Sequence, residues 1–288
     1  MKKMLIGALA LAMLVPGLHA AELTTRIAQV GEPQGTEKEV PVMAEAEGRV
    51  LWVDARDSSL LNALTEAVKQ DRTVRVDFHE ATGTLKGVEL LDVVVESSET
   101  GNFGDEKENF IPSVLDLNSA QTIFDAMDGR TKRNSQCFNR AHGWAYDMKS
   151  RYSVDSMKIF IFFTSRYIRE YRYKWCFHVA PYVLIAQNNM TVEHVMDVSF
   201  TNGPSLMRDW TDYFMENNAA CASVNTYTEY RQNQQAQHCY LIRANMFYRS
   251  PRDLELLESQ GRQELGWNLD EVAEARRQAF KNWENYNP

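Results

Sequence analysis

The stretch from Cys137 to Asp197 constrains this chain more than any other part of it. It reads CFNRAHGWAYDM, then the apolar run KIFIFF, then KWCFHVAPYVLI, a polar break at Asn188-Asn189, and TVEHVMD. Phe138, Ala141, Ala145 and Met148 recur at the spacing of one helix face. A helix is therefore expected to begin near Ser135, with Asn134 or Ser135 as its N-cap. Residues 158–163, 175–186 and 191–200 read as strands, and Pro181 marks the second as an edge or bulged strand. If Asn188-Asn189 centres an antiparallel hairpin, His178 faces Ser199 and Asp197 faces Ala180. Side-chain alternation then makes His178 and Asp197 diagonal neighbours on one face, whereas a one-residue slip separates them.

A thiol in the first turn of a helix and within a basic stretch has two reasons to ionise. The same helix N–H groups can bind an oxyanion. In that order Cys137, His178 and Asp197 can form a nucleophile, its base and the group that orients the base. The pattern alone leaves an alternative open, since a structural cysteine and a satisfied strand histidine fit it too. The other histidines of this half fit the triad less well. His142 is rotated away from Cys137 on the helix, His194 lies on the opposite strand face from Asp197, and His238 falls in a polar loop.

At the N-terminus, Lys2 and Lys3 precede an apolar run from Met4 to Val15, followed by Pro16, Gly17 and a small-residue site at Ala20. Residues 1–20 read as a secretory signal peptide, too short to span a bilayer comfortably. The mature chain is expected to be secreted or periplasmic, free of the membrane once the signal is removed.

The formal charge of -8 argues against nonspecific nucleic-acid binding, and its distribution is uneven. Residues 21–110 carry 19 acidic and 9 basic side chains, whereas 111–288 carry 20 of each. Residues 130–175 are basic, with Arg140, Arg169, Arg172 and Lys174 among their cations. Either this is a solvated face, or the acidic first unit lies over it.

Residues 21–44, with Gly31, Pro33, Gly35 and Pro41, read as a flexible lead-in. A small α+β unit follows: a strand at 49–53, a helix through Leu60, Leu61, Leu64 and Val68 capped by Ser58-Ser59, and strands at 73–78 and 87–95. It holds no cluster that carries chemistry, and His79 reads as a surface residue. Residues 97–109 are acidic and almost free of apolar side chains, which suits a nickable linker. The second unit adds helices at 117–127, 205–215 and 270–283 and a strand at 239–248. Of four cysteines, Cys221 and Cys239 flank a polar loop and are expected to form a disulfide. Cys137 and Cys176 can also pair, which would remove the nucleophile.

The chain resembles the protein-glutaminases, secreted bacterial enzymes that deamidate glutamine side chains in proteins. The resemblance rests on Cys137-Phe138-Asn139-Arg140-Ala141-His142, on His178-Val179-Ala180, on Asp197 with Ser199 and Phe200, and on Tyr248-Arg249-Ser250-Pro251. A weaker likeness covers residues 60–90. The resemblance implies an α+β fold, with a cysteine-bearing helix packed on an antiparallel sheet as in papain and transglutaminases. It implies residues 21–108 as an inhibitory pro-region of small α+β fold and 109–288 as the catalytic domain, the mature enzyme beginning near Ile111-Pro112-Ser113. Cys137 would be the nucleophile, His178 the base and Asp197 the orienting group. Ala55, after the first strand of the small unit, is the residue expected to lie in the cleft. The implied partners are proteins or peptides with exposed glutamine and an activating protease. No metal or organic cofactor is implied, and a monomer is expected. A transglutaminase or cysteine peptidase on the same core, or an idle exported binding protein with Cys137 bridged to Cys176, are the alternatives. The sequence departs from the family in having Cys176 beside the histidine strand and in having fewer cysteines.

Overall fold

The computed structural model describes residues 20–91, 111–133, 135–215, 220–260 and 266–281. The expected signal sequence up to residue 19, the linker at 97–109 and the candidate cap Asn134 lie outside the described residues.

The N-terminal unit comprises β1 (Ala20–Val30), β2 (Glu39–Ala44), β3 (Arg49–Asp54), α1 (Ser58–Lys69), β4 (Thr73–His79) and β5 (Leu85–Leu90). Its sheet runs in the order β3-β2-β1-β4-β5. Residues 21–44 are thus not a flexible lead-in. β1 pairs antiparallel with β4 from Ala20↔His79 to Arg26↔Thr73, and β2 pairs with β3 from Glu39↔Asp54 to Ala44↔Arg49. The glycines and Pro33 that suggested flexibility are confined to the connection between β1 and β2, and Gly31 N–H donates to Pro41 O at 2.8 Å. α1 is capped one residue earlier than expected, by Asp57, which accepts from Leu60 N at 3.0 Å.

β3 is buried on both faces. Leu51 and Val53 pack with Leu64, Ala67, Val74 and Val76 in the small unit's own core. Val50 and Trp52, with alternate side-chain direction, join the core of the second unit. Burial on both sides explains why residues 49–53 read as a nearly continuous apolar run.

The second unit begins with β6 (Val114–Leu115) and α2 (Leu117–Ala126), then α3 (Cys137–Tyr152), β7 (Met157–Phe163), α4 (Ser165–Tyr171), β8 (Phe177–Gln187) and β9 (Met190–Val195). It continues with β10 (Ser205–Leu206), α5 (Met207–Met215), β11 (Ala222–Ser223), α6 (Tyr227–Gln232), β12 (Cys239–Asn245), α7 (Pro251–Gln260) and α8 (Leu269–Ala279). The strands form one sheet in the order β10-β9-β8-β7-β12-β11, with β6 beside β8. α3 packs against β7 and β8, and α8 packs against α3.

The β8–β9 hairpin has the expected register, from Tyr182↔Val195 to Gln187↔Met190, with Asn188 and Asn189 at positive φ in its turn. β8 is an interior strand, contrary to the reading of Pro181. In an antiparallel strand a residue's N–H and C=O point to the same neighbour. Pro181 O accepts from Met196 N at 2.8 Å, just beyond the last β8–β9 pair. The missing donor therefore falls where the ladder ends.

The loop between Cys221 and Cys239 is better ordered than its polar composition suggested. It contains β11 and α6, whose Tyr227 and Tyr230 are buried against Phe162. The expected Cys221–Cys239 disulfide closes it. The basic, aromatic connection after β7 is α4, capped by Thr164. Pro251 opens α7, where a proline at the first helical position is well tolerated.

Candidate active site

Cys137 is the first residue of α3, after Gln136 as N-cap, and is 6% exposed. The expected cap is thus shifted by one or two residues, and Gln136 makes no capping hydrogen bond through its side chain. His178 is the second residue of β8. β9 stops at Val195, so Asp197 sits in a turn, not in a strand as expected. Its backbone O accepts from Phe200 N at 3.0 Å and Thr201 N at 2.9 Å, and its Oδ1 accepts from Ser199 N at 3.3 Å.

His178 Nε2 and Asp197 Oδ2 are 2.7 Å apart, and Asp197 is fully buried. This pairing leaves Nδ1 free of Asp197, and Cys137 lies close enough for its charge to act on the imidazole. Burial pushes the His178 pKa down. The Asp197 charge and hydrogen bond, with the Cys137 contact, outweigh that and raise it to about 9. Phe200 and Phe214 pack on the ring, each with its centroid 4.8 Å away.

The sequence reading missed Trp210. Its indole Nε1 donates to Asp197 Oδ2 at 2.9 Å, so that oxygen accepts two hydrogen bonds. Its signal was available: Trp210 and Phe214 are four apart on α5 and face the core, and a buried tryptophan N–H needs an acceptor.

The competing histidines are held elsewhere. His194 contacts Val192 O through Nδ1 at 3.0 Å, and His238 pairs with Glu170 at 2.9 Å. His142 Nδ1 lies 2.9 Å from the buried Lys158 Nζ, which also donates to Tyr248 O. Burial lowers both: the Lys158 pKa falls to about 7, and His142 falls well below the usual imidazole range. Cys137 and Cys176 are both free and buried. The Cys176 thiol donates to Ala44 O at 3.7 Å, and burial pushes its pKa up.

A cavity of about 730 Å³ opens beside Cys137 and His178, walled by both units. Ala55 is not in its wall; it lies in the turn after β3, with its N–H on Lys38 O at 2.8 Å. The segment before β3 takes the place assigned to it. Glu47 lines the cavity, and Gly48 O accepts from Cys176 N at 2.6 Å. Gly48 has φ +61°, and a Cβ there would come within 2.9 Å of Phe177 O. The turn therefore requires glycine for both its backbone shape and its close approach. Acidic side chains of the first unit meet the basic stretch: Glu37 with Arg169 at 3.1 Å and Glu39 with Arg172 at 2.7 Å.

Residues 121–214 match the family model described as Glutaminase, a span that contains Cys137, His178 and Asp197. No curated protein sequence matches the chain. Among solved structures, the crystal structure of pro-protein-glutaminase is similar, with a TM-score of 0.52 and 16% identity over 80% of this chain and 84% of that one. A mutant of pro-protein-glutaminase gives 0.51 and 16% over the same shares. At that identity the likeness speaks to the fold. Its reach over this chain exceeds residues 109–288, so it extends into the N-terminal unit. The family resemblance and the expected α+β fold are both borne out.

Proposed function

We propose that this chain is a protein-glutamine deamidase, made as an exported precursor, in which Cys137 is the nucleophile, His178 the acid and base, and Asp197 the orienting group. The observation that carries this reading is the His178–Asp197 hydrogen bond beside a cysteine at a helix N-terminus, inside the span that matches the Glutaminase family.

The Cys137 thiolate adds to the side-chain carboxamide carbon of a substrate glutamine, and N–H groups of the first turn of α3 stabilise the oxyanion. As the C–N bond breaks, the His178 imidazolium gives its proton to the departing ammonia. A thioester remains on Cys137. Neutral His178 then takes a proton from water, the hydroxide adds to the thioester carbon, and the C–S bond breaks to release glutamate and regenerate the thiolate. His178 must carry a proton in the first half-reaction, and its raised pKa suits that role. The chemistry calls for no metal or organic cofactor.

In the precursor the N-terminal unit keeps the site closed. Support for this comes from backbone pairing at Gly48–Cys176 and Val50–Lys174, from Val50 and Trp52 packed into the second unit's core, and from the likeness to a pro-enzyme. Cutting within residues 97–109 would release it. The Cys221–Cys239 disulfide and the apolar N-terminal run support export.

The test is ammonia release from a glutamine-containing protein, before and after limited proteolysis of the linker, with Cys137→Ala as control. Release that needs the cut and Cys137, without cleavage or crosslinking of the substrate, is the expected result. Substrate cleavage would instead identify a peptidase, and crosslinking a transglutaminase. Ammonia release surviving Cys137→Ala would refute the assignment.

A further inference from the structure

The charged side chains that the second unit gives the cavity wall are all cationic among the described residues, whereas the N-terminal unit gives two carboxylates and Arg49, which pairs with Glu47. Among the described residues, the second unit contributes Lys132, Arg133, Arg140, Arg172 and Lys174 to it and no carboxylate. The two carboxylates in the wall, Glu47 and Glu80, both come from the N-terminal unit. Displacing that unit would leave a wholly basic cleft beside Cys137.

Arg140 sharpens the point. It is 9% exposed, and its Nη1 donates to Ser135 O at 2.7 Å and Ser135 Oγ at 2.8 Å. Its buried Nε has no partner among the described residues. An unsatisfied buried donor on a permanent cation is costly, and Arg140 adds its positive charge to the cavity wall.

The backbone shows how such a ligand would lie. Arg49 bridges Trp175 antiparallel, Val50 N donates to Lys174 O at 2.8 Å, and Cys176 N donates to Gly48 O at 2.6 Å. The Arg172 guanidinium then lies over Trp52, 4.5 Å from the ring centroid, and pairs with Glu39. An extended chain in this lane starts at the Phe177–His178 end and runs C-terminally past Lys174 to Arg172.

We propose that the edge formed by residues 172–176 is the substrate-binding lane, and that it selects glutamines followed on their C-terminal side by acidic residues. Main-chain hydrogen bonds to Lys174 and Cys176 supply sequence-independent binding. The cationic side chains of Lys174 and Arg172 discriminate among flanking sequences, favouring carboxylates and rejecting lysine or arginine. Residues 48–52 of the N-terminal unit occupy this lane in the same chain direction, and Glu39 on the neighbouring β2 takes Arg172, so an acidic substrate competes with that unit for the Arg172 cation. This inference rests on the deamidase reading.

The test compares glutamine peptides of one length carrying acidic residues C-terminal to the glutamine, the same residues N-terminal to it, neutral residues, or lysines. kcat/KM for ammonia release is measured with the full chain, intact and after cutting in the linker. C-terminal acidic residues are expected to raise kcat/KM about five- to tenfold over neutral ones, since a few exposed ion pairs act together. The preference should shrink toward unity in the Arg172→Gln, Lys174→Gln double variant and at high salt. Equal kcat/KM for the acidic and lysine peptides would overturn the proposal and leave the deamidase reading standing. Ammonia from none of the peptides would remove the deamidase reading. Fluorescence anisotropy of the same peptides on the cut Cys137→Ala chain then decides the lane separately. Tighter binding of the C-terminally acidic peptide supports it, and indifference to charge overturns it.

Discussion

His178 Nε2 and Asp197 Oδ2 meet at 2.7 Å across 19 residues of sequence, because a tight β8–β9 hairpin returns the chain to its start and a turn then swings the carboxylate inward. The geometry needs both parts. The hairpin register brings Asp197 diagonally across from His178, and the turn hydrogen bonds from Ser199, Phe200 and Thr201 fix where its carboxylate points.

Trp210→Phe keeps an aromatic side chain but loses the indole N–H, one of the two donors on Asp197 Oδ2. Stability is expected to fall by about 1–3 kcal/mol, the cost of under-satisfying a buried charged acceptor, as measured by urea unfolding. Because the orienting carboxylate becomes freer to turn, kcat for ammonia release should fall more than KM changes. A variant with unaltered kcat would remove Trp210 from the positioning of Asp197.

Asp197→Asn removes the charge that raises the His178 pKa. Folded His178 binds its proton more tightly than the unfolded chain does, so the pair stabilises fully below about pH 6.5. That stability is lost as pH rises through about 9. The difference in unfolding free energy between wild type and Asp197→Asn should therefore shrink, by an amount on the order of 3 kcal/mol, from about pH 6 to about pH 10. Comparing the two proteins matters because Lys158, with its lowered pKa, has the opposite pH dependence and is common to both. Activity should fall about 10³- to 10⁴-fold at neutral pH, as when a nucleophile's base loses its orienting carboxylate. A pH-independent stability difference would contradict the coupling.

Gly48→Ala tests the closure of the site. The added Cβ meets Phe177 O, and positive φ adds strain of about 1–2 kcal/mol. Gly35→Ala is the control, since it shares the positive φ and meets nothing within 4 Å. Only Gly48→Ala should raise ammonia release by the uncut chain and speed amide exchange at Cys176. Matching behaviour of the two variants would mean that Gly48 does not hold the cleft shut.

The Cys221–Cys239 disulfide spans 18 residues of sequence. Replacing both cysteines with serine should lower stability by about 3 kcal/mol, from the lost constraint on the unfolded chain. α6 lies within the loop, and its Tyr230 donates to Phe163 O at 3.2 Å. Local opening should therefore appear first there, as faster amide exchange across residues 227–232.

Much of the second unit was legible because its determinants are local. The helix at Cys137 and the hairpin about Asn188-Asn189 depend on spacing within one element, and period-two alternation in a hairpin propagates over many residues without help from elsewhere. The Cys221–Cys239 disulfide was legible for the same reason. The two strands of residues 20–30 and 39–44 were not. Half of β1's apolar residues are alanines and they do not alternate strictly, and its ladder to β4 joins segments some fifty positions apart. Pairing of that kind leaves little trace in either strand alone.

Sequence by itself determined the elements that carry Cys137 and His178, the alignment of Asp197 with His178, the uneven charge and the family resemblance. Tertiary structure decided the rest. It brought Trp210 beside His178 onto the same Asp197 oxygen, took Asp197 out of its strand into a turn, and left Cys137 and Cys176 unbridged. It also set Glu47 and Gly48, in place of Ala55, against the cleft. Each of these depends on where separate elements meet in space. Packing and backbone approach between distant segments decide such meetings, and composition and spacing within any one segment do not record them.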